Sequence, residues 1–233
     1  MMEGFNFPVQ IVRTERKRSA SIEIEGDTVK VTVPSHLTDS MVQNLISQRR
    51  GLIEQKLRQQ QQIAPPKPKE YVNGEAFPYL GKNYRLKRLL GQSGDAKLKH
   101  GYIQIPVPES ALEGLTEASM RSSLVSWYKA HAATKLKEKT KRYASILGVE
   151  PNSVSVREYK ARWGSCASSG DISYNWRIIM APHHIVDYVV VHELCHLLEH
   201  NHSARYWRLV GSVISDHKEC REWLKVNGAA LVV

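Results

Sequence analysis

The sequence of 233 residues is poor in cysteine and has no long apolar run. Its three cysteines, Cys166, Cys195 and Cys220, are odd in number, widely spaced and outside any Cys-x-x-Cys pair, which argues against a disulfide framework. No stretch reaches the length of an apolar transmembrane span, and the first residues lack the basic-then-apolar pattern of a secretory signal. We therefore expect a protein of the reducing cytoplasm without a membrane partner.

Acidic residues are outnumbered by basic ones, 23 against 33, which leaves a net charge of +10. A positive balance of this size suggests an anionic partner such as a nucleotide or a nucleic acid, but a well-solvated basic surface explains it equally well. The chain also lacks a glycine-rich loop that could cradle phosphates and shows no internal repeat.

The first half of the chain indicates a β-rich region with one helix. Residues 21–25 and 28–33 alternate apolar and polar side chains, which predicts a hairpin with one apolar face. Thr38 or Asp39 can cap a helix that extends to about residue 62, and a proline-rich connector follows at 65–69. Further strand patterns continue to about residue 106, so we predict an N-terminal region over residues 1–110.

The second half, residues 111–233, carries longer helical patterns. A helix over about 116–147 has a buried stripe and many lysines; we interpret it as a scaffold helix with a solvated face, with nucleic-acid binding as the alternative. Strand patterns follow at 154–159 and 171–179. Pro182 suits the first turn of the next helix, and Asn201 suits its end because asparagine tolerates the left-handed conformation. The whole chain is therefore predicted to be α+β.

The segment 192–196 reads His-Glu-x-x-His inside that helix. Residues four apart lie on one helix face, so His192 and His196 can present imidazoles to one metal ion, and Glu193 can reach a water bound there. This is the arrangement of zinc metalloproteases, with two ligands and a general base in five residues.

A catalytic zinc takes a third protein ligand, and four residues are candidates: His200, His202, Glu199 and Glu219. Glu199 and His200 lie one turn after His196 on the same helical path and would converge poorly on the ion. His202 lies beyond the expected helix end, where a turn can bring its ring back, so it is favoured. Glu219 on a downstream helix stays open as the alternative.

Several segments carry a family resemblance: Arg162-Trp163-Gly164-Ser165-Cys166, residues 172–176, Ala181-Pro182, residues 187–196, and residues 201–203 with Tyr206-Trp207. Together they resemble the YgjP-like metallopeptidases, small zincins related to the SprT-like and WLM proteases. The resemblance implies a zincin-like catalytic domain, a mixed sheet with the His-Glu-x-x-His helix, and one zinc held by His192, His196 and His202 with Glu193 as base. Tyr206 stands where members often have phenylalanine, so a role for its hydroxyl stays open.

The expected reaction is hydrolysis of an extended polypeptide by a metal-activated water, as in a metalloendopeptidase. In zincins an edge strand pairs with the substrate; residues 171–179 are our candidate, with Asn175 as a polar substrate contact and a structural role as the alternative. Asp187 could orient a ligand imidazole, with a surface or capping role as the alternative. Cys166 and Cys195 are interpreted as packed thiols.

Two other functions remain open from the sequence. One is a metal-dependent nucleoside triphosphate pyrophosphatase or phosphohydrolase, in which basic side chains hold the phosphates: Arg157, Lys160, Arg162, Arg177 and Arg205. The other is a nucleic-acid-associated protease that docks through the basic helix.

Overall fold

A computed structural model describes residues 5–15, 20–25, 28–62, 68–112, 114 and 116–233. The chain divides into two compact units, Met1–Pro65 and Pro66–Val233. Of the predicted connector at 65–69, residues 65–67 lie outside the described residues. Within the described residues, no helix is long and apolar enough to cross a membrane.

The first unit is a three-stranded sheet with two helices. The predicted hairpin is confirmed, since Ile22 pairs with Val31 and Ile24 with Val29 in antiparallel register, and a preceding strand pairs in parallel with the second hairpin strand. Alternate strand residues and the apolar helix positions form one core of buried side chains: Phe7, Val29, Val31, Val33, Val42, Ile46, Ile53 and Leu57. The elements are β1 (Val9–Thr14), β2 (Ser21–Glu25), β3 (Thr28–Pro34), α1 (Asp39–Gln48) and α2 (Arg50–Gln62), with strand order β1-β3-β2.

The single helix predicted for about 39–62 is two helices. Thr38 caps the first through its side chain, which accepts a hydrogen bond from the Met41 amide. The helix ends at Arg49, whose backbone (φ −106°, ψ 6°) leaves the helical range while its amide bonds to the Ile46 carbonyl three residues back. Apolar spacing continues across this break, so periodicity alone did not reveal it.

The second unit begins with a four-stranded sheet that the sequence prediction had assigned to the N-terminal region. Phe77, Leu86 and Ile103 of this sheet belong to the same core as the long helix and the motif helix. Tyr128 on the long helix donates a hydrogen bond to the Pro78 carbonyl at 2.6 Å. The compact units therefore separate at residues 65 and 66 rather than near residue 110. The sheet elements are β4 (Ala76–Tyr79), β5 (Lys82–Leu90), β6 (Lys97–Lys99) and β7 (Tyr102–Val107), in the order β4-β5-β7-β6.

The long predicted helix is confirmed almost residue for residue. It begins after Thr116, which forms a capping box with Ser119, and ends at Gly148, whose positive φ of 66° suits glycine. A second, three-stranded sheet and three more helices complete the α+β fold. These elements are α3 (Glu117–Leu147), β8 (Ser153–Arg157), β9 (Gly164–Cys166), β10 (Asp171–Asn175), α4 (His183–Cys195), α5 (Ala204–Val213) and α6 (His217–Asn227), with short 3-10 helices at Glu109–Ala111, Trp176–Met180 and Gly228–Ala230.

The strand predicted for residues 171–179 is shorter than expected and is not an edge. It ends at Asn175, whose side chain accepts a hydrogen bond from the Arg177 amide and so starts the 3-10 turn. The sheet order is β8-β10-β9, with β8 parallel and β9 antiparallel to β10. Because neighbours on both sides use the backbone groups of β10, a substrate cannot add to it, and the predicted edge role was wrong.

Lys139 of α3 and Asp187 of α4 form an ion pair at 2.6 Å with both side chains about 15% exposed. Asp187 therefore links two helices. We expect Asp187→Asn to lower the free energy of unfolding by about 1–3 kcal/mol, because Lys139 loses its counter-ion in a partly buried place. Urea titration measures the change.

The matched control is Glu138→Gln, which removes the exposed Lys135–Glu138 pair on α3. It should cost less than about 0.5 kcal/mol because solvent screens that pair. Equal destabilisation by the two substitutions would contradict the special role of the Asp187 pair.

Candidate metal centre and cleft

Helix α4 positions the first two histidines of the motif. It ends at Cys195, and His196 is its C-cap with near-helical angles (φ −68°, ψ −18°), so His192 and His196 stay one turn apart. The helix thus ends earlier than predicted. Asn201 is not among the residues with positive φ, so the predicted left-handed end at Asn201 was wrong. Residues 197–201 form a turn, after which His202 precedes α5.

The turn brings His202 back against the two helical histidines. The Nε2 atoms of His202 and His192 are 3.2 Å apart, and one ligand atom from each of His192, His196 and His202 lies within 4.8 Å of the others. Among the described residues, no other group of three or more His, Cys, Asp or Glu side chains could hold a metal ion.

Neighbouring groups orient the rings of His196 and His202 by a hydrogen bond or by stacking. His196 Nδ1 lies 3.3 Å from the Glu199 carbonyl, which suits an Nδ1–H donor and leaves Nε2 free for a metal. The Tyr206 ring stacks on His196 with centroids 4.7 Å apart. The Trp207 ring stacks on His202 with centroids 5.5 Å apart. His192 Nδ1 is buried without a hydrogen-bond partner among the described residues.

Burial shifts the pKa values of His192 and Glu193, the two adjacent motif residues on α4. It lowers the pKa of His192 to about 3, with further lowering from the nearby His196, His202 and Arg221, so this imidazole is neutral, the form that binds metal. Burial also raises the pKa of Glu193 to about 8, against a smaller lowering by the Arg162 charge. A divalent cation bound by the neighbouring histidines would lower this pKa again, because its charge favours the carboxylate, the form that can accept a proton from water.

Glu193 packs directly against the backbone of β9. A Cβ atom added at Gly164 would lie 2.5 Å from Glu193 Oε1 and 2.6 Å from its Cγ. Only 5% of Glu193 is exposed, so its side chain has little room to move away. Gly164 therefore allows the strand to approach this closely and hold the carboxyl beside the histidines.

The histidines and Glu193 open into a cleft of about 600 Å³. One part of its wall is the segment Arg162, Trp163 and Gly164, and another is α6 with Arg221 and Lys225. The Trp163 ring also packs on Gly228, where an added Cβ would lie 2.9 Å from Cζ2 of the ring. Sequence reasoning missed the α6 wall. The recurrence of Arg221 and Lys225 four residues apart on an amphipathic helix marked one face, but not what that face would meet.

Asn175, predicted as a substrate contact, is buried at 3% exposure with its amide committed to the backbone. Its Nδ2 donates to the carbonyls of Tyr159 and Arg162 at 3.0 and 3.2 Å, and its Oδ1 accepts from the Arg177 amide. The backbone N–H of Asn175 donates a further hydrogen bond to the Trp163 carbonyl at 2.8 Å. The structure therefore favours the alternative, a structural asparagine that holds the segment leading into β9.

Tyr206 is fully buried and donates its hydroxyl to the His192 carbonyl at 2.9 Å. It therefore joins α5 to the last turn of α4, and it does not line the cleft. Glu219 and His200 are exposed, and neither belongs to the converging group; Glu199 is half-buried and contributes its carbonyl to His196.

Five cations were candidates for holding phosphates. Of the five, Arg162 lines the cleft. Arg177 pairs with Glu158 at 2.8 Å, and Arg205 lies 4.0 Å from Glu199. On the basic helix α3, Lys135 pairs with Glu138 on its own helix. These placements give no support to a nucleic-acid partner.

The chain matches a family model described as "YgjP-like, metallopeptidase domain" over residues 18–227. Among solved structures it is similar to the metallopeptidase zymogen abylysin of Pyrococcus abyssi, with 24% sequence identity, a TM-score of 0.36, and coverage of 39% of this chain and 94% of that chain. A TM-score this low carries no structural argument. No curated protein matches the chain.

We expect Gly164→Ala to reduce hydrolytic activity about a hundredfold, because the new methyl group must displace the Glu193 carboxyl and small misplacements of a reacting group cost about that much. Metal content should be unchanged, because the three histidines are not touched. Steady-state kinetics and metal analysis measure the two quantities.

Gly51→Ala is the control, since a Cβ there meets nothing within 4 Å and alanine favours the interior of α2. Full activity of Gly164→Ala would show that the close approach is not needed.

Proposed function

We propose that the chain, which belongs to the YgjP-like metallopeptidase family, is a zinc-dependent endopeptidase whose ion is held by His192, His196 and His202. Family membership supports a metal-dependent peptidase. The observation that carries the finer proposal is the convergence of three imidazoles beside the buried carboxyl of Glu193 in one cleft.

The donor set fits zinc. Zinc–nitrogen bonds of about 2.0–2.1 Å at tetrahedral angles place two ligand nitrogens about 3.3 Å apart. His192 and His202 already have their Nε2 atoms 3.2 Å apart. Three neutral protein ligands leave one coordination position open, as in catalytic rather than structural zinc sites. When bound, the ion supplies Lewis acidity that polarises the substrate carbonyl and acidifies the attacking water.

Glu193 is the proposed proton carrier. Its carboxylate takes a proton from the attacking water and passes that proton to the leaving amine, so one residue serves as base and then as acid. The backbone of Gly164 holds the carboxyl in place. The low-dielectric surroundings that raise its pKa also strengthen its interactions with the reacting groups.

For the substrate strand we propose β9 in place of the residues predicted from the sequence. β9 pairs with β10 on one side, and its other edge has no strand neighbour among the described residues. It lies against Glu193, so an extended polypeptide that pairs with this edge passes the reacting groups. An open edge accepts the middle of a chain, which is why we propose an endopeptidase and a zincin-like arrangement.

Metal binding decides between His202 and Glu219 as third ligand. The purified protein should contain about one zinc per chain. His202→Ala should weaken zinc binding by at least about tenfold, because one of three ligands is lost. Glu219→Gln should leave zinc affinity unchanged. Competition with a chromogenic chelator measures each affinity, and the reverse ranking of the two variants would assign the third ligand to Glu219.

Peptide hydrolysis tests the role of Glu193. Glu193→Gln keeps the shape of the side chain but cannot accept the proton, so kcat on an unfolded protein substrate should fall about 10²–10⁴-fold. Zinc content should be retained. A nucleoside triphosphate is assayed beside the protein substrate, because the cations of the cleft make phosphate hydrolysis the other candidate. Loss of phosphate hydrolysis alone in the variant would reject the peptidase.

A further inference from the structure

We infer that the cleft selects peptides carrying a carboxylate close to the scissile bond, and that the guanidinium groups of Arg162 and Arg221 bind it. This inference rests on the proposed peptidase function and adds a substrate class to it. The carboxylate can be an aspartate or glutamate side chain or the C-terminus of the peptide, and the experiment below separates these sources.

The charged side chains along the cleft are mainly positive. Its lining contains three permanent cations, Arg162, Arg221 and Lys225. The one carboxylate in the lining is Glu193, which is buried and lies beside the metal ligands. The cleft therefore offers nothing to a lysine or arginine of a substrate and would repel it, whereas an acidic group finds several partners.

The two guanidinium groups are also available to bind an acidic ligand. Within the described residues, neither Arg162 nor Arg221 forms an ion pair, whereas Lys225 pairs with Glu222 at 2.6 Å. Arg177 and Arg205, outside the lining, each have an acidic neighbour. Among the three cations of the lining, the two arginines are thus the ones without an ion pair, although the charge of Arg162 acts on the buried Glu193.

Both arginines are held in place by other contacts. The Arg221 Cζ lies 5.4 Å from the centre of the Trp207 ring, a cation–π contact. The Arg162 Cζ lies 5.6 Å from the Tyr159 ring centre, and its backbone carbonyl accepts from Asn175. Ordering these long side chains in advance lowers the entropy lost when they bind a ligand.

Their positions place the bound carboxylate near the reacting groups. Trp207, which supports Arg221, stacks on the metal-ligand candidate His202. Arg162 is two residues before Gly164, the residue in contact with Glu193. A guanidinium fork matches the planar carboxylate with two parallel hydrogen bonds, which gives direction as well as attraction.

The test compares matched peptides with both termini capped. Each pair differs by glutamate or glutamine at one position within two residues of the cleaved bond, on either side, and mass spectrometry locates the cleavage. We expect kcat/KM to favour the glutamate peptide by about tenfold or more at one of these positions, the factor typical of a hydrogen bond to a charged group. A further pair differs by a free or amidated C-terminus.

Arg221→Gln should bring this preference close to one. Arg208→Gln, on the exposed side of α5 and outside the lining, should keep it. The ratio between paired peptides is the readout because a uniform loss of activity leaves it unchanged. The zinc-loaded Glu193→Gln protein provides a second readout, the affinity for each peptide measured by calorimetry without turnover.

The outcomes of these experiments distinguish the selectivity for a carboxylate from the peptidase function. Equal cleavage and equal binding of glutamate and glutamine peptides, with no effect of a free C-terminus, would overturn the selectivity and leave the peptidase intact. Absence of cleavage with a retained binding preference would overturn the peptidase and keep the carboxylate site. A preference for the free C-terminus alone would assign the site to a terminal carboxylate. Tighter binding of a nucleoside triphosphate than of any acidic peptide would overturn the choice of carboxylate.

Discussion

The burial of helix α4 is the constraint on which the site depends. Apolar side chains cover most sides of the helix, so its polar groups are confined to the exposed first turn, the Asp187 contact with α3 and a strip near the carboxyl end. His192, Glu193 and His196 occupy that strip. A buried polar group without partners destabilises a protein by about 1–3 kcal/mol, so a sequence keeps such groups where they are needed. The rest of the second unit covers the helix and opens the cleft along the strip.

The wall of the cleft depends on two residues, Asn175 at the end of β10 and Gly164 at the start of β9. The buried amide of Asn175 binds carbonyls on the incoming segment and fixes its path. Gly164 then allows that segment to touch the Glu193 side chain. Neither residue needs to meet a substrate. Both set the distance at which the Glu193 carboxyl is held, which is why residues of a motif can matter without contacting a substrate.

Local patterns predicted the parts of this protein that depend on neighbours in sequence. The spacing of His192 and His196, the cap at Thr38 and the hairpin alternation each specify a geometry within one element, and the structure has them. The central place of β10, the position of β4–β7 in the second unit and the α6 wall depend on pairing between distant segments. No local spacing encodes that pairing. The end of α4 was predicted only roughly. The sequence placed it at Asn201, but the helix ends at Cys195, because a residue such as asparagine can follow a helix end at several nearby positions.

The early end of α4 at Cys195 has an electrostatic consequence for the ion. Aligned peptide dipoles leave a partial negative charge of about half an elementary charge at the carboxyl end of a helix. His192 lies in the last turn and His196 is the cap. A divalent cation held between them would lie beside this negative end, so the backbone itself would favour the cation even though the three proposed side-chain ligands carry no negative charge. Had the helix continued to residue 201, that field would have been displaced about a turn and a half along the axis.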